Sequence, residues 1–231
     1  MGAIPWLRGA WRRAGHGLRR RFRRPLEGRF QPYGYTLPDR YPWLFGFARE
    51  VLQEVAAPRL LSFGCSTGQE VLSLRCYLPD AVLKGVDIDA RNIAACGAQP
   101  LLQGDPAMDF EVAADVAGEP SEAYDAVFCL AVLCHGDLAA ARAQRSEPLM
   151  RFDDFERIVT DLARCVKPGG YLFLHTTNYR FVDTAIAGAF DVVLEAKPEQ
   201  MASDPHFDAS NRLMPGERYL PVGFRKRASS R

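Results

Sequence analysis

The sequence predicts an α/β fold, a doubly wound and mostly parallel sheet with helices on both faces. Three observations predict it. An apolar run, Leu60-Leu61-Ser62-Phe63, leads through the glycine turn Gly64-Cys65-Ser66-Thr67-Gly68 into a helix that opens at Gln69. Further apolar runs at 81–87, 109–114, 124–130 and 170–175 alternate with stretches of helical period. A long amphipathic stretch with Phe152, Phe155, Val159, Leu162 and Val166 on one stripe stops at Lys167-Pro168-Gly169-Gly170, just before the last of those runs. Strands that alternate with helices bury both sheet faces under crossover helices.

Each element follows in order. Residues 30–43, FQPYGYTLPDRYPW, are rich in aromatics and proline and read as an ordered irregular segment. Whether its Tyr33, Tyr35 and Tyr41 form a lid or only cover the sheet is left open by the pattern. Pro38-Asp39 precedes a helix with the stripe Leu44, Ala48, Val51 and Val55, which ends before Pro58. After the glycine turn, Val71, Leu74 and Leu78 give a helical stripe terminated by Pro79-Asp80. A strand at 81–87, a helix at about 90–96 and a strand at 109–114 follow. Strands at 124–130 and 170–175 flank the long helix, and two later strands fall at 190–195 and 220–225.

At 231 residues, 48% apolar and 25% charged, the chain is large enough for one domain with a proper core. No apolar run reaches the roughly 18 residues that a spanning helix needs. Six cysteines, none in a CxxC pair, sit in apolar surroundings. With no signal peptide evident, they read as reduced thiols of a cytoplasmic protein. Cys129, Cys134 and His135 are the nearest approach to a metal cluster, and core packing explains them better, so no metal is expected.

The net charge of +1 conceals an asymmetry. Residues 1–29 hold nine arginines against the single acid Glu27, a net of +8 that leaves −7 for the rest. The chain is read as a basic arm, 1–29, on a domain spanning 30–231. Ile4, Leu7, Trp11, Leu18 and Phe22 share a stripe on a helical wheel, bracketed by Pro5 and Pro25. Such a helix suits an anionic membrane surface and would make the protein peripheral to the membrane. A solvated flexible tail is the plainer reading, and an RNA-contacting arm is a further alternative.

In an open α/β sheet, ligands bind beyond the carboxyl ends of the strands at the topological switch point. That rule singles out the Gly64–Gly68 turn, the acids Asp87 and Asp89 after the second strand, and Asp115 after the third. A dinucleotide fingerprint needs a second glycine where Ser66 stands, and a P-loop needs G-K-[ST] where Gly68-Gln69-Glu70 stands. Glu70 would also repel a phosphate. S-adenosylmethionine (SAM) carries no phosphate and a cationic sulfonium, and it fits these residues. Plainer roles exist for all of them: a tight turn at Gly64 and Gly68, helix caps at Asp87 and Asp89, a turn at Asp115.

Four segments in order resemble a class I SAM-dependent methyltransferase over roughly residues 40–227. GCSTGQE is similar to the first motif of chemotaxis-receptor glutamate methyltransferases, where GCSTGEE is typical. GVDID resembles the acidic post-motif, YDAVFCLAVLCH the strand-four motif, and LARCVKPGGYLFL the approach to strand five. The resemblance implies a seven-stranded Rossmann-like sheet whose last strand, near RYLPVGFRKR, is antiparallel. It implies that Gly64, Cys65, Ser66 and Gly68 line the methionine end of SAM. Asp87 would bind the ribose with Asp89 as its rival, and Ile88 would pack on the adenine. Asp115 would face the adenine amino group, and Cys129 and Leu130 would border the methyl. A receptor methylase itself is not expected, because nothing resembles that family's N-terminal helical domain.

Methyl transfer needs a nucleophile held in line about 3 Å from the methyl, and a base only where the acceptor must lose a proton. The strand-four loop lacks [ND]-P-P-[YF] and offers Cys129-Leu130-Ala131-Val132-Leu133-Cys134-His135 instead. His135 is the first general-base candidate and His175 the second, each with a packing role as the plainer reading. Asn178, Tyr179 and Arg180, following strand five, are candidates for substrate contact. The acceptor is expected to be a small or lipid-like molecule, with RNA as the alternative and a non-catalytic binding scaffold as a third reading.

Overall fold

Seven strands form one sheet in the order β3-β2-β1-β4-β5-β7-β6. They are β1 (Arg59–Phe63), β2 (Val82–Asp87), β3 (Met108–Val112), β4 (Tyr124–Leu130), β5 (Val166–His175), β6 (Phe190–Glu195) and β7 (Pro221–Lys226). The first five are parallel to one another, and β7 runs antiparallel to both β5 and β6. The computed structural model describes residues 30–31, 34–202, 204–216 and 218–228. The arm at 1–29, with its amphipathic and membrane or RNA readings, lies outside the described residues, as does Tyr33.

The inner strands are apolar on both faces because both faces are covered. Along β1, Leu60 packs with helices α1 (Pro42–Leu52), α2 (Gln69–Tyr77) and α3 (Ala90–Ala98), while Leu61 and Phe63 pack with the opposite layer. Along β4, Ala126 and Phe128 face the first group, and Val127 and Cys129 face the second. That second layer is built on α5 (Phe152–Cys165), whose stripe of Phe152, Phe155, Ile158, Val159, Leu162 and Ala163 is buried. A short helix, α4 (Gly136–Ala140), adds Leu138 to it. No described helix is long and apolar enough to cross a membrane.

Boundaries differ from expectation where the chain must reverse. Helix α1 ends at Leu52, leaving Val55 outside it, because five or six residues are needed to climb back to β1. The Lys167–Gly170 segment stops α5 but is itself extended, so β5 begins at Val166. Lys167 Nζ holds the Asp125 carboxylate at 2.8 and 2.9 Å, which ties this irregular start to β4. Strand β3 ends at Val112 rather than at 114, on the open edge of the sheet.

One buried polar knot joins the loop beyond β6 to the second layer. Asn211 Oδ1 accepts the Phe152 N–H and the Tyr179 hydroxyl, both at 2.8 Å. The first of these caps α5 from a distance, since its own N-cap residue Arg151 makes no side-chain cap. Asn211→Ala strands the Phe152 N–H in the interior and leaves the Tyr179 hydroxyl with Ser146 Oγ alone, 2.7 Å away. The expected result is a loss of about 2–3 kcal/mol in urea denaturation, the cost of leaving a buried donor unpaired and a helix end uncapped.

Candidate active site

The carboxyl ends of β1, β2 and β4 surround a cleft whose empty volume is about 910 Å³, open mouth included. The cleft sits at the switch point, where β1 neighbours both β2 and β4. Three non-glycine residues adopt left-handed backbone at this edge: Ser66 after β1, Ala131 after β4 and Thr176 after β5, with φ of 51°, 58° and 56°. Strained backbone of this kind collects where a ligand must be met.

The turn after β1 is shaped by its neighbour. The N–H groups of Gly64 and Cys65 both donate to the Val86 carbonyl, at 2.7 and 3.0 Å. The Ser66 N–H donates to Asp87 Oδ2 at 2.9 Å. Gly64 has φ +75°, and a Cβ there would stand 2.3 Å from Val132 Cγ2, so only glycine lets β1 and the β4 loop approach this closely. Gly68, with φ +88°, caps the start of α2, and a Cβ there would meet Leu102 at 2.6 Å.

Asp87 is buried at the end of β2. Its Oδ1 accepts the Asp89 N–H at 2.8 Å and Asn92 Nδ2 at 3.0 Å. Asp89 turns the other way: it caps α3 through the Arg91 N–H and pairs with the Arg91 guanidinium at 2.9 and 3.0 Å. Ile88, Ala113 and Ala114 supply an apolar wall beside Asp87. Asp115 lies past that wall, where its carboxylate accepts the Ala117 N–H at 3.0 Å and closes a turn.

On the opposite side, Leu130, Ala131 and Val132 line the cleft. Cys129 is fully enclosed and faces the α5 layer beneath Leu130. Burial pushes its thiol well above the ordinary range. The roof comes from the segment before α1: Phe30, Gln31, Gly34, Tyr35, Thr36, Leu37, Arg40 and Tyr41. This segment is pinned at both ends, by Asp39 N–H to Ser73 Oγ at 2.8 Å and by Ser66 Oγ to the Gly34 carbonyl at 3.3 Å. Arg40 lies over the rings of Tyr35 and Tyr41.

The residues expected near the acceptor are spread apart. His135 is half-buried, its Nδ1 accepts the Asp137 N–H at 3.3 Å, and burial lowers its pKa. His175 is buried against the rings of Tyr41 and Trp43. Its Nε2 meets the Gln200 carbonyl at 3.1 Å and its Nδ1 the Thr176 hydroxyl at 2.7 Å, and burial drives its pKa down to about 4. It is therefore neutral at pH 7 with both nitrogens engaged. Asn178 is fully buried, accepting the His135 N–H at 2.7 Å and donating to the Pro205 carbonyl at 2.8 Å. Tyr179 is buried in the Asn211 knot, and Arg180 forks onto Asp183 at 2.7 and 2.8 Å.

Two charged residues that line the cleft are not among the site residues expected from the sequence, although Glu70 reads there as an acid unfavourable to phosphate. Glu70, in the first turn of α2, receives the Ser62 hydroxyl at 2.7 Å, and burial raises its pKa to about 7. Arg40 is the other. Among the described residues, no group of three or more His, Cys, Asp and Glu is arranged to hold a metal ion.

This sheet order, the turn and the acid after β2 define a Rossmann-like methyltransferase domain of the SAM-dependent class. The chain belongs to the family described as "Methyltransferase domain", whose model matches residues 35–211. It is 28% identical over 155 residues to a ubiquinone biosynthesis O-methyltransferase of Paracidovorax citrulli, covering 66% of this chain and 56% of that protein. It is 26% identical over 178 residues to the one from Vibrio atlanticus, covering 75% of this chain and 65% of the relative. The chain thus matches somewhat over half the length of these relatives. Among solved structures, the N-methyltransferase NodS of Bradyrhizobium japonicum superposes with a TM-score of 0.52 at 14% identity, over 82% of this chain and 99% of that one. That likeness is one of fold.

Gly64→Ala tests the turn. Its Cβ would collide with Val132 and hold an unfavourable φ, so the variant is expected to lose about 2–3 kcal/mol of stability and most of its ligand affinity. Thermal melting with and without S-adenosylhomocysteine (SAH) reads both; an unchanged melting temperature and ligand shift would contradict the close approach.

Proposed function

We propose that the protein transfers the methyl group of SAM to a hydroxyl of a small organic acceptor. The observation that carries this reading is the chemistry of the cleft lining. Two carboxylates, Asp87 and Glu70, and one guanidinium, Arg40, stand among apolar walls of Phe30, Phe63, Ile88 and Leu130. That set suits an adenosine with a zwitterionic amino-acid tail and disfavours a phosphate. The relatives named O-methyltransferases support oxygen as the acceptor atom.

SAM, when bound, supplies a methyl group on a cationic sulfonium. The residues of the chain would hold it and the acceptor. A carboxylate has about four lone-pair sites. Three at Asp87 are taken by Ser66, Asp89 and Asn92, and the remaining one faces a ribose hydroxyl in this reading. Ile88, Ala113 and Ala114 would flank the adenine. Gly64, Cys65 and Ser66 would border the amino-acid tail, and Leu130 to Val132 the methyl. Asp89, Asp115, Gly68 and Cys129 would act from behind this shell, by holding helix ends, turns and strand β4.

His135 is the proposed base, three residues beyond Val132. Its lowered pKa leaves the ring neutral at pH 7, and among the described residues its Nδ1 lone pair meets the long contact from the Asp137 N–H. Accepting a proton there breaks that cap, and the Asp137 carboxylate favours the charge that forms. His175 is a poorer base because burial opposes its charging.

Incubation with SAM and a panel of phenols, catechols and hydroxy acids, with SAH release as the readout, tests the reaction. Turnover with a hydroxylated small molecule is expected, and turnover confined to RNA or to amines would overturn the assignment. Asp87→Ala is expected to weaken SAH binding by about 2 kcal/mol, roughly thirtyfold, in calorimetry. Unchanged affinity would remove Asp87 from the ribose site. His135→Ala should lower kcat by about 10²-fold or more with little change in KM. Because burial depresses the pKa of this base, the wild-type rate should be flat at and above neutral pH and fall only in more acid solution than an ordinary imidazole would require.

A further inference from the structure

We propose that the acceptor is an α-amino acid with a phenolic side chain, held in a second cavity between the end of β5 and the chain that joins β6 to β7. The inference rests on the reading of the cleft as the SAM site and names a substrate class for that reaction.

Two adjoining hollows, with empty volumes of about 300 and 800 Å³, mouths included, share Met201, Asp204, His206 and Tyr219 in their walls. The inner one ends on His175 and Thr176, and the outer one opens past Arg218 and Leu220. Parallel pairing sets His175 directly opposite Leu130. A residue of the inner end therefore stands one strand spacing, about 4.8 Å, from one that would border the methyl. Tyr41 marks the junction between the two sites. It lines the cleft, its ring packs on His175 at 4.7 Å, and its hydroxyl is buried beside Thr176. That hydroxyl makes no well-formed hydrogen bond to a described residue. A buried hydroxyl without a partner is costly, and a ligand oxygen that reaches the junction removes the cost.

The charges along the cavity select what fills it. Asp204 is half-buried and lines both hollows, and Arg218 is exposed at the outer mouth. Neither makes a hydrogen bond or ion pair with a described residue; His206 and, from the roof, Arg40 are the cations whose charge Asp204 feels. Opposite charges thus face one space without meeting, and Met201, Tyr219 and Leu220 give it apolar walls. A ligand ammonium suits Asp204 and a ligand carboxylate suits Arg218. In an α-amino acid these two groups sit on one carbon, so both are held at one end and the side chain is left to run inward. A phenol at its tip offers the hydroxyl to Tyr41 and faces the methyl. In the transfer the carbon–oxygen bond forms as the carbon–sulfur bond breaks, SAH is left, and the phenol proton goes to His135. That base belongs to the same corner: its N–H is tied through Asn178 to the Pro205 carbonyl, and its neighbour Cys134 feels the charge of Asp204.

L-Tyrosine is the probe, beside tyramine and hydroxyphenylpropanoate, which keep the phenol and lack the carboxylate or the ammonium. Calorimetry on the full chain saturated with SAH reads binding, and incubation with SAM followed by mass spectrometry reads O-methylation. L-Tyrosine is expected to bind about tenfold or more tighter than either analogue and to be methylated on its phenol oxygen. Asp204→Asn should weaken L-tyrosine and tyramine by a similar factor and spare hydroxyphenylpropanoate; Arg218→Gln should weaken L-tyrosine and hydroxyphenylpropanoate and spare tyramine. Both variants should keep the wild-type Kd for SAH. The proposal is overturned if L-tyrosine fails to bind, if an analogue binds as tightly, if both variants bind it like wild type, or if it binds without being methylated. Absence of any SAH binding to the wild type would instead sink the SAM reading on which the proposal rests.

Discussion

The site depends on how the end of β2 holds the turn that follows β1. Val86 offers its carbonyl to two successive N–H groups of the turn, and Asp87 takes the third from Ser66. Three consecutive backbone donors are thereby anchored on a neighbouring strand. The turn must enter left-handed backbone at Gly64, Ser66 and Gly68 to make these contacts. The strain is modest per residue, about 1–2 kcal/mol at a non-glycine position such as Ser66. It is offset by hydrogen bonds that exist only because β1 and β2 are parallel neighbours in register, with Phe63 opposite Val86. The sheet order is therefore a condition of the site as well as a scaffold for it.

From that anchor the rest of the cleft follows. Strand β4, on the other flank of β1, is followed by Ala131 with φ 58°, which swings Val132 against Gly64. The segment before α1 lies across the gap, tethered to the turn through Ser66 and to α2 through Asp39. What results is an apolar slot with acids at its floor and, among the described residues, a single arginine in its roof. Phosphate would meet two carboxylates there, whereas a cationic, phosphate-free cofactor meets charges of the opposite sign. Residues 1–29 carry nine arginines against one acid, and the chemistry of the cleft does not require them.

The fold was legible in the sequence because its signals are local. The strand–glycine–helix succession at Leu60 to Leu74 and the stripe on α5 depend on neighbours within a turn or two. The cleft was partly legible for the same reason: Gly64, Cys65, Ser66, Asp87, Ile88 and Leu130 all border it, and each ends a strand or follows one within a few residues. The substrate edge was less so. Asn178 and Tyr179 follow β5 at the ligand side, yet they are turned inward to meet His135, Pro205 and Asn211, partners up to 43 residues away. No periodicity encodes such contacts. Glu70 read only as an acid that a phosphate would dislike. Its importance comes from burial and from the single hydroxyl of Ser62, which are tertiary facts. Arg40 sat in an irregular segment with no pattern to place it over the cleft.

The central claim is that this slot, built on the Val86–Asp87 anchor, is where SAM binds. A crystal structure of the chain grown with SAH tests it most directly. The account predicts ligand density between Gly64 and Leu130, with ribose oxygens at Asp87 and the adenine against Ile88, Ala113 and Ala114. Density for SAH at another place on the molecule, such as the cavity beside Asp204 and His206, would contradict it.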